Sequence, residues 1–104
     1  MRKNAGHAVE TLVRASVAAV MNVTGENLTE LAASIGLTTD TLGRRQRGAT
    51  IWNVVDLGRL ADHWGIPPYS LISGPSDALS KLRTTRVAEI RRAKGLPVFE
   101  PVAA

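Results

Sequence analysis

The sequence predicts an all-α fold, a compact five-helix bundle with an additional basic C-terminal helix or arm. Three observations carry that prediction. Apolar residues recur at helical spacing in one segment after another. Capping residues precede several of these segments and a glycine follows most of them. No run reads as a credible strand.

Size and composition are compatible with this picture. The 104 residues suit a single domain, and a hydrophobic fraction of 44% is enough for a modest core. With two Trp, one Tyr and one Phe, that core must rest on Leu, Val, Ile and Ala. Cysteine is absent, which rules out disulfides and thiolate–metal sites and suits a reducing cytosol. No apolar run approaches the roughly 18–20 residues of a membrane span. The most apolar stretch, 9–23, is interrupted by Glu10 and Arg14, and no secretory cleavage pattern follows it. The formal charge of +4 favours an anionic partner. Its placement says more than its size. Arg44, Arg45 and Arg47 cluster mid-chain, and 81–94 carries Lys81, Arg83, Arg86, Arg91, Arg92 and Lys94 against the single acid Glu89.

The first helix is expected over 7–22, where Val9, Leu12, Val13, Val17 and Val20 make an amphipathic stripe and Gly25 is the stop. Asn27 then reads as an N-cap with Glu30 three residues on, a capping box in which each side chain satisfies an orphan backbone donor. The short second helix points Leu28, Leu31, Ala32 and Ile35 inward and ends at Gly36. Thr38 caps a third helix over 39–47, closed by Gly48. Only Gly36, Leu37 and Thr38 join the two, so the helices must cross steeply. Asn53 and Asp56 repeat the cap signature before Val54, Leu57, Leu60, Ala61 and Trp64, closed by Gly65. Pro67 and Pro68 open a last short turn carrying Tyr69, Leu71 and Ile72. The expected division is a helical domain over 1–75, a basic helix or arm over 76–95 and a tail over 96–104. Ser76 is the candidate cap of the basic helix, with Leu79, Leu82, Val87 and Ile90 near one face.

The run NLTELAASIGLTTDTLGRRQRG at 27–48, followed by NVVDLGRLADHWGI at 53–66, resembles the phage-repressor-like helix-turn-helix regulators of the Cro and repressor (XRE-like) type. The resemblance covers about residues 7–73 without a central insertion. It rests on Leu31-Ala32, Ile35-Gly36-Leu37, Leu42, Gly48, Leu60-Ala61 and Trp64-Gly65-Ile66. It implies a repressor-like DNA-binding fold whose third helix enters the major groove of double-stranded DNA. It also implies a transcriptional repressor, phage- or prophage-encoded, that occupies an operator in the cytoplasm or nucleoid of a bacterial host. Physics gives the same pattern independently. Ala32 permits close helix approach, and Leu31, Ile35, Leu37 and Leu42 form a wedge that leaves the other face of the third helix free.

That face is expected to carry Thr39, Asp40, Thr41, Gly43, Arg44 and Arg47. Thr39 and Asp40 open the helix, where the family reads bases. Arg44 lies one turn on, and its planar fork suits guanine O6 and N7, a pairing worth about 1–3 kcal/mol of discrimination. Asp40 either accepts from a cytosine amino group or pairs with Arg44 at i+4; the sequence does not choose between them. Thr38 and Thr41 are candidate phosphate donors, and Arg45 and Arg47 are expected to meet phosphates or solvent. Gly43 implies close approach, either to the groove or within the protein. Asn27, Thr29 and Thr50 complete the candidate DNA-facing set of the domain. The family often carries an arginine late in the first helix and a glutamine opening the second. Met21 and Leu28 stand at those positions here, which puts that phosphate grip in doubt.

In the basic segment, Lys81, Arg83, Arg86, Arg91 and Arg92 are the candidate phosphate contacts, the alternative being a solvated helix packed on the domain or on a second copy. His7 and His63 lack companion ligands, so a surface or capping role is expected rather than a metal site. Trp64 is expected in the core and Trp52 as a packed loop anchor. No nucleophile–base pair, phosphate loop or carboxylate dyad stands out, so no enzyme, cofactor, metal or small-molecule ligand is expected. A homodimer is possible. Two other readings keep the same fold, an antitoxin-like regulator and a protein-interaction adaptor that has lost DNA binding.

Overall fold

The computed structural model describes residues 5–98, and those residues are all-helical. The helices are α1 (Ala5–Thr24), α2 (Leu28–Ile35), α3 (Thr39–Arg47), α4 (Val54–Trp64), α5 (Pro68–Ser73), α6 (Pro75–Lys81) and α7 (Thr84–Ala93). No helix among the described residues is long and apolar enough to cross a membrane.

The long helix α1 is the spine, packed against α3, α5, α6 and α7. Its buried stripe is Val13, Ser16, Val17, Val20 and Thr24. This shifts the expected face, because Val9 and Leu12 are exposed at 43% and 39%. Ser16 is tolerated inside because its hydroxyl donates to the Leu12 carbonyl at 2.8 Å.

The predicted capping box of α2 is complete. The Asn27 side chain accepts from Glu30 N at 2.8 Å, and Glu30 accepts from Asn27 N at 2.9 Å. Gly36 then adopts φ 77°, the left-handed conformation that lets the chain turn straight into Leu37 and the α3 cap. Leu31, Ala32, Ile35 and Leu42 are buried where α2 meets α3 and the rest of the core. Trp64 is fully buried beside Leu60 and Ala61, and Trp52 is 5% exposed, so both expected aromatic anchors are inside.

The C-terminal segment departs from the expected single helix. Leu82 and Arg83 take extended conformations, ending α6 at Lys81 and starting α7 at Thr84. Ser76 makes no cap bond; α6 begins at Pro75, whose missing N–H costs nothing at a first helical position. The short helices pack rather than extend away. Ala78 and Ile90 join the core cluster, and Leu82 is partly buried against it.

Candidate nucleic-acid interface

The α2–turn–α3 unit fixes the candidate surface. Thr38 caps α3 by accepting from Thr41 N at 3.1 Å, while its own hydroxyl donates to Thr41 Oγ1 at 2.9 Å. Thr39 Oγ1 donates to Thr29 Oγ1 at 3.3 Å, which ties the first residue of α3 to the first turn of α2. Leu42, fully buried, anchors the opposite side of α3. Thr39, Asp40, Arg44 and Arg47 are left exposed, with Thr29, Asn27 and Thr50 also at the surface. Asp40 and Arg44 form an ion pair at 3.1 Å, with 68% and 56% of their side chains exposed.

Two residues of the expected DNA-binding set are covered by other parts of the protein. Gly43 is buried, and a Cβ there would stand 2.9 Å from Arg47 Nη1 and 4.0 Å from Leu28 Cδ1. The Arg47 side chain, one turn further on, lies across it. Arg45 is turned inward, its side chain only 13% exposed. It pairs with buried Asp56 and lies over the Trp52 ring, 5.6 Å from the centroid. Spacing explains the difference: Arg45 follows Leu42 by three residues and so shares its buried side.

The loop after α3 is held from behind by α1. The Glu10 carboxylate accepts from Trp52 N at 3.1 and 3.3 Å. Gln46 bridges the same elements, donating to the Arg14 carbonyl at 3.1 Å and accepting from Trp52 Nε1 at 3.2 Å. Met21 and Leu28 both pack against the core.

Much of the basic C-terminal charge is engaged inside the protein. Arg86 Nε donates to the His63 carbonyl at 2.7 Å, and its Nη1 pairs with Glu89 at 3.3 Å. Arg91 donates to the Val23 carbonyl at 3.1 Å and the Pro97 carbonyl at 2.6 Å. Lys94 reaches the Gly25 carbonyl and the Glu30 carboxylate, tying the end of α7 to the α1–α2 turn. Lys81 pairs with Asp77 at 3.1 Å and sits 5.4 Å from the centroid of the Tyr69 ring. Arg83 and Arg92 are exposed.

The sequence did not reveal the buried cluster around Glu26. That carboxylate accepts from Thr24 Oγ1 at 2.7 Å and Trp64 Nε1 at 2.8 Å, and lies 2.6 Å from His63 Nε2. His63 thus has a structural role rather than the expected surface or capping one. Arg86 Nη2 lies 3.4 Å from His63 Nδ1, on the other side of the ring from Glu26. Burial pushes the Glu26 carboxyl up, but the bonds from His63, Trp64 and Thr24 outweigh it and hold its pKa below the ordinary value. The signal lay in plain view as an acid just after Gly25 and a His-Trp pair ending a helix, yet nothing local connects residues 37 positions apart.

Two apolar surfaces are also present. Ile51, Val54 and Val55 are 74%, 84% and 63% exposed between the end of α3 and the first turn of α4. An open groove of about 540 Å³ runs between α1, α6 and α7, lined by Val23, Leu79, Leu82 and Val87 among others. Comparison of the chain with protein-family models, with curated proteins and with solved structures gives no match.

Proposed function

We propose that this chain is a sequence-specific DNA-binding regulator of the repressor-like helix-turn-helix type, with α3 entering the major groove. The observation that carries the reading is the division of α3 into two sides. Leu42 and Arg45 face the protein, while Thr39, Asp40, Arg44 and Arg47 are exposed, with Gly43 covered by the Arg47 side chain. Both ends of the helix are fixed, by the Thr38 cap and by the Gln46–Trp52 bond beside it. A rigid helix with its N-terminal side chains exposed is what base readout requires. Phosphate contacts fall to Arg47 and to the exposed threonines Thr29, Thr38 and Thr39.

Acting by operator occupancy, the protein would repress transcription in a phage or prophage setting, in the cytoplasm or nucleoid of a bacterial host. Selection of bound duplexes from a random pool tests the reading, followed by binding to the selected duplex at two salt concentrations. Enrichment of a defined site, with affinity falling steeply as salt rises, is the expected result. Recovery of no preferred sequence would end the reading.

The exposed trio Ile51, Val54 and Val55 favours a second reading, an adaptor or antitoxin-like regulator that uses this fold to contact protein. Salt-insensitive association with a protein partner and no DNA retardation would favour it.

A further inference from the structure

Asp40 and Arg44 stand one turn apart on the exposed side of α3, joined through Oδ2 and Nη2 at 3.1 Å. That contact uses one carboxylate oxygen and one N–H of the guanidinium fork. Oδ1 still accepts, and the remaining guanidinium N–H groups still donate. Side by side, the pair therefore presents two donors followed by an acceptor. In the major groove a G·C pair presents the complement, because guanine N7 and O6 accept and the cytosine amino group donates. An A·T pair presents an acceptor, a donor and an acceptor. Its N6 amino group would meet an Arg44 donor and its O4 would meet the carboxylate.

An acid on a DNA-facing helix is repelled by every phosphate it approaches. Asp40 is the one acid in α3, and it stands in the first turn, the end that would lie deepest in the groove. Such a carboxylate is favourable there only opposite a base that donates. Beside an arginine needing two neighbouring acceptors, only the G·C edge supplies both.

We infer that Asp40 and Arg44 act as one reader that selects a single G·C base pair, Arg44 on the guanine and Asp40 on the cytosine. The inference rests on the DNA-binding reading above. The two roles that sequence left as alternatives for Asp40, ion pairing and base contact, are then simultaneous.

The test uses the duplex selected by the wild-type protein, with affinities measured for wild type, Asp40→Ala, Asp40→Asn and Arg44→Ala. Each is measured on three duplexes: the selected one, one with the G·C pair changed to A·T, and one with the cytosine replaced by 2-pyrimidinone, which lacks the 4-amino group. Both side chains are at the surface, so matching thermal melts confirm intact folding. Wild type is expected to lose about ten-fold on the pyrimidinone duplex, and Asp40→Ala to lose about two-fold or less. Asp40→Ala is also expected to bind the A·T duplex more tightly than wild type, and Arg44→Ala to lose its preference for G·C over A·T. Asp40→Asn should follow Asp40→Ala in tolerating the A·T duplex. Equal pyrimidinone losses in wild type and Asp40→Ala would overturn the inference and reduce the pair to a surface ion pair, leaving DNA binding itself intact. A selected site without a G·C pair that depends on Arg44 would overturn it in the same way. Failure to retard any duplex would instead remove the DNA-binding reading, and this inference with it.

Discussion

Oε1 of Glu26 accepts a hydrogen bond from the Trp64 indole at 2.8 Å, with both side chains buried where the α1–α2 turn meets the end of α4. The same carboxylate holds Thr24 and His63, and His63 in turn is bonded through its carbonyl by Arg86 of α7. One acid thus links four segments of the chain. Glu26→Ala would leave the Trp64 indole N–H and the His63 Nε2 without the carboxylate that partners them in the interior. Its expected effect is a loss of about 3 kcal/mol in unfolding free energy, read by urea denaturation. A loss below about 1 kcal/mol would mean that water replaces the carboxylate without difficulty.

The same group sets an acid limit on stability. Its folded-state pKa is depressed, so its contribution is present above the ordinary glutamate range and is lost as pH falls through the folded value. The stability difference between wild type and Glu26→Gln is expected to be constant near neutrality and to shrink between about pH 5 and pH 3. Denaturation midpoints of both proteins across that window provide the check. A difference that does not change with pH would show that the depressed value has been assigned wrongly.

The wedge beneath α3 predicts a sharp contrast between two apolar substitutions. Leu42 is fully buried between α3 and the core, and Val54 is 84% exposed at the start of α4. Leu42→Ala is expected to cost about 2–5 kcal/mol through lost transfer energy and the cavity left behind. Val54→Ala should change stability by about 0.5 kcal/mol or less. Thermal melts that shift equally for the two would contradict the assigned orientation of the helices.

Arg47 predicts a change in electrolyte dependence. It is exposed at the end of α3, whereas Arg45 two positions earlier is held by Asp56 and Trp52. If Arg47 neutralises a phosphate, Arg47→Ala lowers the slope of log affinity against log salt by about one unit. Binding isotherms at four or more salt concentrations measure this. An unchanged slope would remove Arg47 from the contact surface.

The elements legible in the sequence were those whose cause is local. The Asn27–Glu30 box, the Thr38 and Asn53 caps and the left-handed Gly36 and Gly48 each depend on a few adjacent residues, and each stands where the sequence puts it. Helix faces were legible only where a helix packs on one side along its length. Val9 and Leu12 continue the apolar stripe of α1 by spacing, yet both remain exposed while Val13 beside them is buried. The basic segment was the hardest to read, because six cations with one acid look the same whether they face solvent, phosphate or carbonyls. Arg86, Arg91 and Lys94 are engaged by carbonyl oxygens distant in sequence, at His63, Val23 and Gly25. The side of α3 that holds Arg45 was missed for a related reason. An arginine at a buried spacing signals a hidden acid, and Asp56 lies eleven residues further on in another helix.

The most direct test of the central claim is a titration of isotopically labelled protein with the selected duplex, followed by amide chemical shifts. The account predicts that the largest changes fall on Thr39 to Arg47 and at Thr29 beside them, with little movement around Leu82 and Val87. Shifts confined to the α6–α7 groove or to the Ile51–Val55 surface, with α3 unmoved, would contradict it.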